Sequence, residues 1–179
     1  MKQEIWKDVP NYEGLYQVSN LGIVKSLTRT VSYNDGRKSK RKGRTLSYVI
    51  RHGYPSVSIS KNGNSQRIGI HQLVAITYLN HKINGHSLVV DHKDDNPLNN
   101  NVDNLQIVTN RYNIVKSMLK RKKSVGYYYS EKRKRWVSQT NEKGKHITIG
   151  FFKTEQDAKE SYKKYMIKIG ENKLVNDLL

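Results

Sequence analysis

The sequence predicts an α+β chain of small modules: a sheet-rich N-terminal module over residues 1–70, a ββα unit over 71–119 and a three-stranded sheet with one helix over 120–179. Three observations lead there. Hydrophobic residues are 35% of the 179, and 12 of the 16 aromatics are Tyr, against roughly 45–50% apolar in ordinary domains, a reference that also counts Gly. That is too lean for one large core. Short alternating runs are broken by Asn-Gly turn signals, and two stretches have helical apolar spacing.

Taken in order, Tyr16–Ser19 and Ile23–Ser26 read as a hairpin around Asn20-Leu21-Gly22. Tyr33 to Arg44 reads as a Lys/Arg/Ser/Gly-rich loop. Tyr54–Ser60 and Gln66–Ile70 alternate across Lys61-Asn62-Gly63-Asn64 and make a second hairpin. His71 to Asn80 places Leu73, Val74, Ile76, Tyr78 and Leu79 densely enough for a short helix. Leu88–Val90 and Leu105–Val108 are brief strands, separated by an Asn-rich loop. Thr109 or Asn110 caps a helix running toward Met118, which completes the ββα unit. Strands at Val125–Tyr129, Arg135–Thr140 and Lys145–Phe151 follow, then a helix opened by Thr154-Glu155-Gln156-Asp157. Its Ala158, Tyr162, Tyr165 and Met166 read as core.

The charge balance narrows the function. Lys and Arg number 33 against 15 Asp and Glu, a net charge of +18, as expected of a chain that binds a polyanion. Gly36 to Val90 holds ten bases and no acid; Arg111 to Arg135 holds ten bases and one acid, Glu131. Between these blocks lie Asp91, Asp94, Asp95 and Asp103. Carboxylates close to nucleic acid repel it unless a divalent cation intervenes, so the pattern suits a metal-dependent phosphodiester site. There is no cysteine, which excludes disulfide scaffolds, Cys-ligated zinc and Cys nucleophiles. No run approaches the 18 apolar residues of a membrane span. A cytoplasmic protein is expected, without a membrane role or an obligatory protein partner.

Asp91 and His92 stand at a strand end, and Asn113 lies on the helix expected to fold back across that strand. A carboxylate and an amide oxygen suit one Mg²⁺ or Mn²⁺ and leave coordination positions for water and phosphate. An imidazole, with an ordinary pKa of roughly 6.5, can take a proton from attacking water. Asn104 faces His92 and is expected to hold the loop and fix the imidazole tautomer.

Leu88-Val89-Val90-Asp91-His92-Lys93-Asp94-Asp95-Asn96, with Asn104-Leu105-Gln106-Ile107-Val108-Thr109 and Asn113, resembles the active site of HNH homing endonucleases of the phage and group I intron-encoded kind. Trp6 to Leu27 resembles the nuclease-associated module that precedes such sites, and His71-Gln72-Leu73-Val74-Ala75 the helix leading into them. The resemblance implies a central ββα-metal unit with His92 as general base, Asp91 and Asn113 as ligands of a single divalent metal, and Asn104 ordering the loop. Two positions depart from the pattern: Asn113 stands where the family's name has His, and Asp95 where Gly is usual.

The last third, through Gly126-Tyr127-Tyr128, Arg135-Trp136-Val137 and Gly150-Phe151-Phe152, resembles the DNA-binding domain of plant ethylene-response factors. That resemblance implies that Arg133, Arg135 and Trp136 face DNA; for Trp136, core packing under the helix is the competing reading. Phosphate contacts are expected from Lys25, Arg29, Arg37, Lys38, Lys40, Arg41, Lys42 and Arg44 in the first module, and from Arg111, Lys120, Arg121, Lys122 and Lys123 in the second block. The expectation is a site-specific, metal-dependent endonuclease of double-stranded DNA leaving 5′-phosphate and 3′-hydroxyl ends, in a bacterial host cytoplasm if phage-encoded. A DNA-binding regulator with an inactive nuclease remnant is the alternative. An RNA-binding basic protein would explain the charge but not the acidic island.

Overall fold

The computed structural model describes residues 3–32, 35–82, 85 and 87–179. It divides into two compact units, 1–108 and 109–179.

The first unit opens with β1 (Trp6–Asp8), β2 (Tyr16–Ser19) and β3 (Val24–Ser26). Then come β4 (Arg29–Ser32), β5 (Lys38–Arg41), β6 (Arg44–Thr45) and β7 (Val49–Arg51). β8 (Tyr54–Lys61), β9 (Asn64–Gly69), α1 (Ile70–Tyr78), β10 (Leu88–His92) and β11 (Leu105–Thr109) complete it. β1-β2-β3-β6 form one sheet and β7-β8-β9 another, while β4-β5 and β10-β11 are two-stranded ribbons. The expected hairpins are present, with Gly22 at φ +83° and Asn62 and Gly63 both at positive φ in their turns. Val9, Tyr16, Val18, Val24, Val57, Ile59, Ile70, Leu73, Val74 and Leu105 make one continuous core. α1 is thereby part of the N-terminal core, and the structure has no break at residue 70. The Tyr78 hydroxyl fastens the helix to the first sheet, within 2.6 Å of Ile5 O and 3.0 Å of Val18 O.

Within the segment read as a loop from Tyr33 to Arg44, Lys38–Arg41 and Arg44 are strand. β4 and β5 pair antiparallel from Arg29 opposite Arg41 to Ser32 opposite Lys38. The Gly43 N–H closes the base of the ribbon by donating to Thr28 Oγ1 at 2.9 Å. Tyr33 and Asn34 lie outside the described residues.

The second unit holds α2 (Asn110–Lys120), β12 (Tyr127–Ser130), β13 (Arg135–Glu142), β14 (Lys145–Phe152), α3 (Glu155–Lys168) and α4 (Asn172–Leu178). The three strands form one antiparallel sheet with a register shift at Ser138/Gln139. Thr109 caps α2 by accepting from Tyr112 N at 3.1 Å, and Thr154 caps α3 by accepting from Asp157 N at 3.1 Å. Gly126 has φ +78° and sits against the Tyr162 ring, which an added Cβ would overlap. α4 was not anticipated in the sequence.

Candidate active site

β10 delivers Asp91 and His92 almost fully buried, at 6% and 5% exposure. From β11, Gln106 Nε2 donates to Asp91 Oδ2 at 2.7 Å. This bond sets the orientation of a hard oxygen donor, as outer-shell partners do for metal ligands. A magnesium-type ion needs only one or two carboxylates, with water and phosphate filling the remaining positions. Asp91 fits that requirement. Among the described residues, no three His, Asp or Glu side chains form a cage.

The His92 ring belongs to an aromatic trio. It stacks on Tyr54 at 6.1 Å and 26°, and lies 5.6 Å from His71, which is itself 4.8 Å from Tyr54. Burial, and then the charge of His92, lower the His71 pKa to about 4, so His71 is neutral at pH 7. His92 Nε2 is 3.2 Å from Oδ1 of Asn100, which is as buried as the imidazole.

The loop between the strands is tied to one acid. Asp94 Oδ1 accepts from Asn96 N at 2.9 Å and Asn104 Nδ2 at 2.8 Å, and its Oδ2 from Asn99 Nδ2 at 2.7 Å. The Asn96 N–H first, then Asn99 and Asn104, hold this carboxyl at about 2. Asn104 completes the tie, accepting from Asp94 N at 3.1 Å and donating to Asn99 O at 2.8 Å. Asn104 is thus bonded to Asp94 and Asn99 across the loop. Its side chain does not set the imidazole tautomer, because both ends of its amide are spent on Asp94 and Asn99; Asn100 bonds the ring instead. Asp95, at the position where Gly is usual, has φ +61°.

The other expected site residues divide. Asn113 lies on the exposed side of α2, in the second unit. Arg111 was expected on phosphate but is built into the second unit. It donates to Thr140 Oγ1 and Asn141 O, both at 2.7 Å, and Nε lies 3.4 Å from Glu171 Oε1. Trp136 pairs in register with Tyr129 and Phe152, and Phe152 shares a cleft with Asp157, Ser161 and Tyr165 of α3. Trp136 thus takes the helix face of the sheet, as strand alternation requires. By the same alternation Arg135 takes the open face with exposed Tyr128 and Phe151, and Arg133 covers the Phe151 ring at 4.7 Å. Lys38, Lys40, Arg41, Lys42, Arg44 and Lys120 to Lys123 are exposed. Lys25 rests over the Trp6 ring at 3.9 Å, Arg29 lies 3.4 Å from the Tyr16 hydroxyl, and Arg37 pairs with Asp35.

Comparison with known families decides what this strand-end pair belongs to. Residues 71–115 match the HNH endonuclease family, and residues 4–60 match the NUMOD4 motif. The chain carries an HNH endonuclease domain behind a NUMOD4 motif. HNH endonucleases are in general dependent on a divalent metal. DNA endonuclease I-HmuI of Bacillus phage SP01 is 39% identical over 114 residues, which is 63% of this chain and 57% of the relative. H-N-H endonuclease F-TflII of Escherichia phage T5 is 29% identical over 126 residues, 70% of this chain and 58% of the relative. The chain thus spans under three-fifths of the length of these curated relatives. A solved structure described as DNA binding and cleavage by the HNH homing endonuclease I-HmuI shares 35% identity and a TM-score of 0.51, over 68% of this chain and 61% of that one. Both family matches end by residue 115, short of the three-stranded sheet. No helix among the described residues is long and apolar enough to cross a membrane.

Sequence reasoning missed four residues around Asp91 and His92: Tyr54, His71, Asn100 and Gln106. Gln106 was accessible, because residues facing each other across a ribbon share a face. Asn100 and the stacked rings had no local signature.

Proposed function

We propose that this chain is a site-specific, metal-dependent DNA endonuclease that hydrolyses a phosphodiester of double-stranded DNA to 5′-phosphate and 3′-hydroxyl ends. The observation that carries this reading is the buried Asp91-His92 pair, each side chain held by its own amide, Gln106 for Asp91 and Asn100 for His92. In this reading His92 takes a proton from water, the water oxygen bonds to phosphorus, and the bond to the 3′ oxygen breaks. Asp91 would supply one oxygen donor and Asn113, by the family pattern, the second. An ion so held, Mg²⁺ or Mn²⁺, would polarise the scissile phosphate and stabilise the leaving oxygen.

Binding falls to the exposed cations. The β4-β5 ribbon, with Lys42 and Arg44 after it, presents a run of Lys and Arg to the phosphate backbone. The open face of the C-terminal sheet, with Arg133, Arg135, Tyr128 and Phe151, is the surface for base edges. The experiment is cleavage of supercoiled plasmid carrying candidate target DNA, with and without Mg²⁺ or Mn²⁺, by the full chain and by His92→Ala. Open-circle or linear product that needs both metal and His92 supports the nuclease. Tight binding without cleavage on a confirmed target would make the chain a DNA-binding regulator.

A further inference from the structure

We propose that Asn100 is a positioning residue that keeps the proton of neutral His92 on Nε2 and the ring lone pair on Nδ1, and that the Asn20–Gly22 turn of the N-terminal motif clamps Asn100 in place. Its importance for catalysis rests on the nuclease reading above; the tautomer itself does not.

The argument starts from the amide. Asn100 Nδ2 lies 3.3 Å from Pro97 O and 3.2 Å from Leu98 O. Carbonyl oxygens only accept, so the NH₂ end of this amide is committed to them and Oδ1 is the end that meets the imidazole. An amide oxygen cannot donate. The hydrogen of the 3.2 Å contact therefore sits on His92 Nε2, and Nδ1 carries the lone pair. Tyr54 and His71 pack against the same ring, which limits its rotation about the Cβ–Cγ bond.

The clamp is steric. A Cβ at Gly22 would lie 2.7 Å from Asn100 Cβ and 2.9 Å from its carbonyl oxygen, and Gly22 has φ +83°. Only glycine lets the turn approach so closely. Beside it, Val102 N donates to Asn20 O at 2.8 Å, while the Asn20 side chain is fixed by Ile5 N at 2.8 Å and Gln3 O at 3.1 Å. The first hairpin of the chain thereby reaches the imidazole through one side chain.

The test is long-range ¹H–¹⁵N NMR of the full chain labelled at the histidine ring nitrogens, at about pH 8, where ordinary imidazoles are neutral. The His92 signals are assigned by their loss in His92→Gln. Expected is a predominant Nε2–H form in the native protein and in Asn100→Asp, which keeps an oxygen acceptor. In Asn100→Leu the ratio of Nε2–H to Nδ1–H falls about fivefold or more. Gly22→Ala, which displaces Asn100 without changing its chemistry, shifts the ratio in the same direction. A predominant Nδ1–H form in the native protein would overturn the proposal outright, and so would an unchanged ratio in folded Asn100→Leu. On plasmid, Asn100→Leu lowers kcat about 10–100-fold with little change in KM, and Asn100→Asp restores it. If the native chain cleaves nothing, the nuclease reading fails while the tautomer measurement still judges Asn100.

Discussion

His71 shows at the scale of one residue how the site's construction shapes stability. Its imidazole is held neutral by burial and by its neighbour His92, with a pKa of about 4 in the folded chain. In the unfolded chain it titrates near the ordinary value of roughly 6.5. Between those values the unfolded state binds the extra proton, so stability is full above about pH 6.5 and declines as pH falls toward 4. From pH 7 to about pH 4.5 the loss attributable to His71 is of the order of 2–3 kcal/mol. Urea titrations followed through Trp6, in a Trp136→Phe background, should show that His71→Gln loses less stability over this range than the parent by about that amount. Equal losses would show that His71 takes up its proton without unfolding. Asp94 acts in a lower window: its carboxyl is held at about 2, so its contribution is lost only as pH falls below the usual carboxylate range. In the sequence, Asp91, His92 and Asn104 were legible as candidates because they stand in order inside an acidic island. His71 was legible only as part of a helix resemblance, since its pairing with His92 spans 21 residues and depends on α1 joining the N-terminal core.

At the scale of elements, the segments with alternating or helical apolar spacing were recovered, and those without it were not. β4 and β5 were missed because nearly all their side chains are charged or hydroxylic and exposed; their ladder is backbone hydrogen bonding with no buried face to mark it in sequence. α4 was missed because its seven residues bury only Leu174 fully and draw their order from α2 and α3. The tie between those helices is polar. Thr109 Oγ1 accepts from Tyr112 N and donates to Glu171 Oε2 at 2.9 Å, and the Tyr112 hydroxyl lies 3.2 Å from Asp177 Oδ2. Thr109→Ala removes the cap and leaves Glu171 one donor short, so the second unit should lose about 1–2 kcal/mol in denaturant titrations followed through Trp136. Gly126→Ala should cost more, about 3 kcal/mol, since a Cβ there would drive into the Tyr162 ring at a left-handed backbone position. Should both variants match the parent, neither the cap nor the close approach supports the sheet-and-helix packing.

For the whole molecule the governing quantity is charge. On the proposed nuclease reading, a net +18 over 179 residues makes DNA affinity a steep function of salt, because each phosphate neutralised by Lys or Arg releases counterions. The structure divides those cations into two kinds that the sequence could not separate. Arg111 is held by Thr140, Asn141 and Glu171, and Arg37 is paired with Asp35. Lys38, Lys40, Arg41 and Lys42 instead stand fully on the surface, three of them on β5. Replacing these four with Ala buries nothing and breaks no core contact, so the fold should persist. The slope of log K against log salt should then shrink in magnitude by up to about 3.6, roughly 0.9 per lost phosphate contact. Arg111→Ala should leave the slope unchanged and lower the stability of the second unit. Binding isotherms over a salt series, together with circular dichroism of both variants, separate these outcomes. An unchanged slope in the four-residue variant would place the phosphate path elsewhere, and the Lys120–Lys123 run would become the segment to replace next.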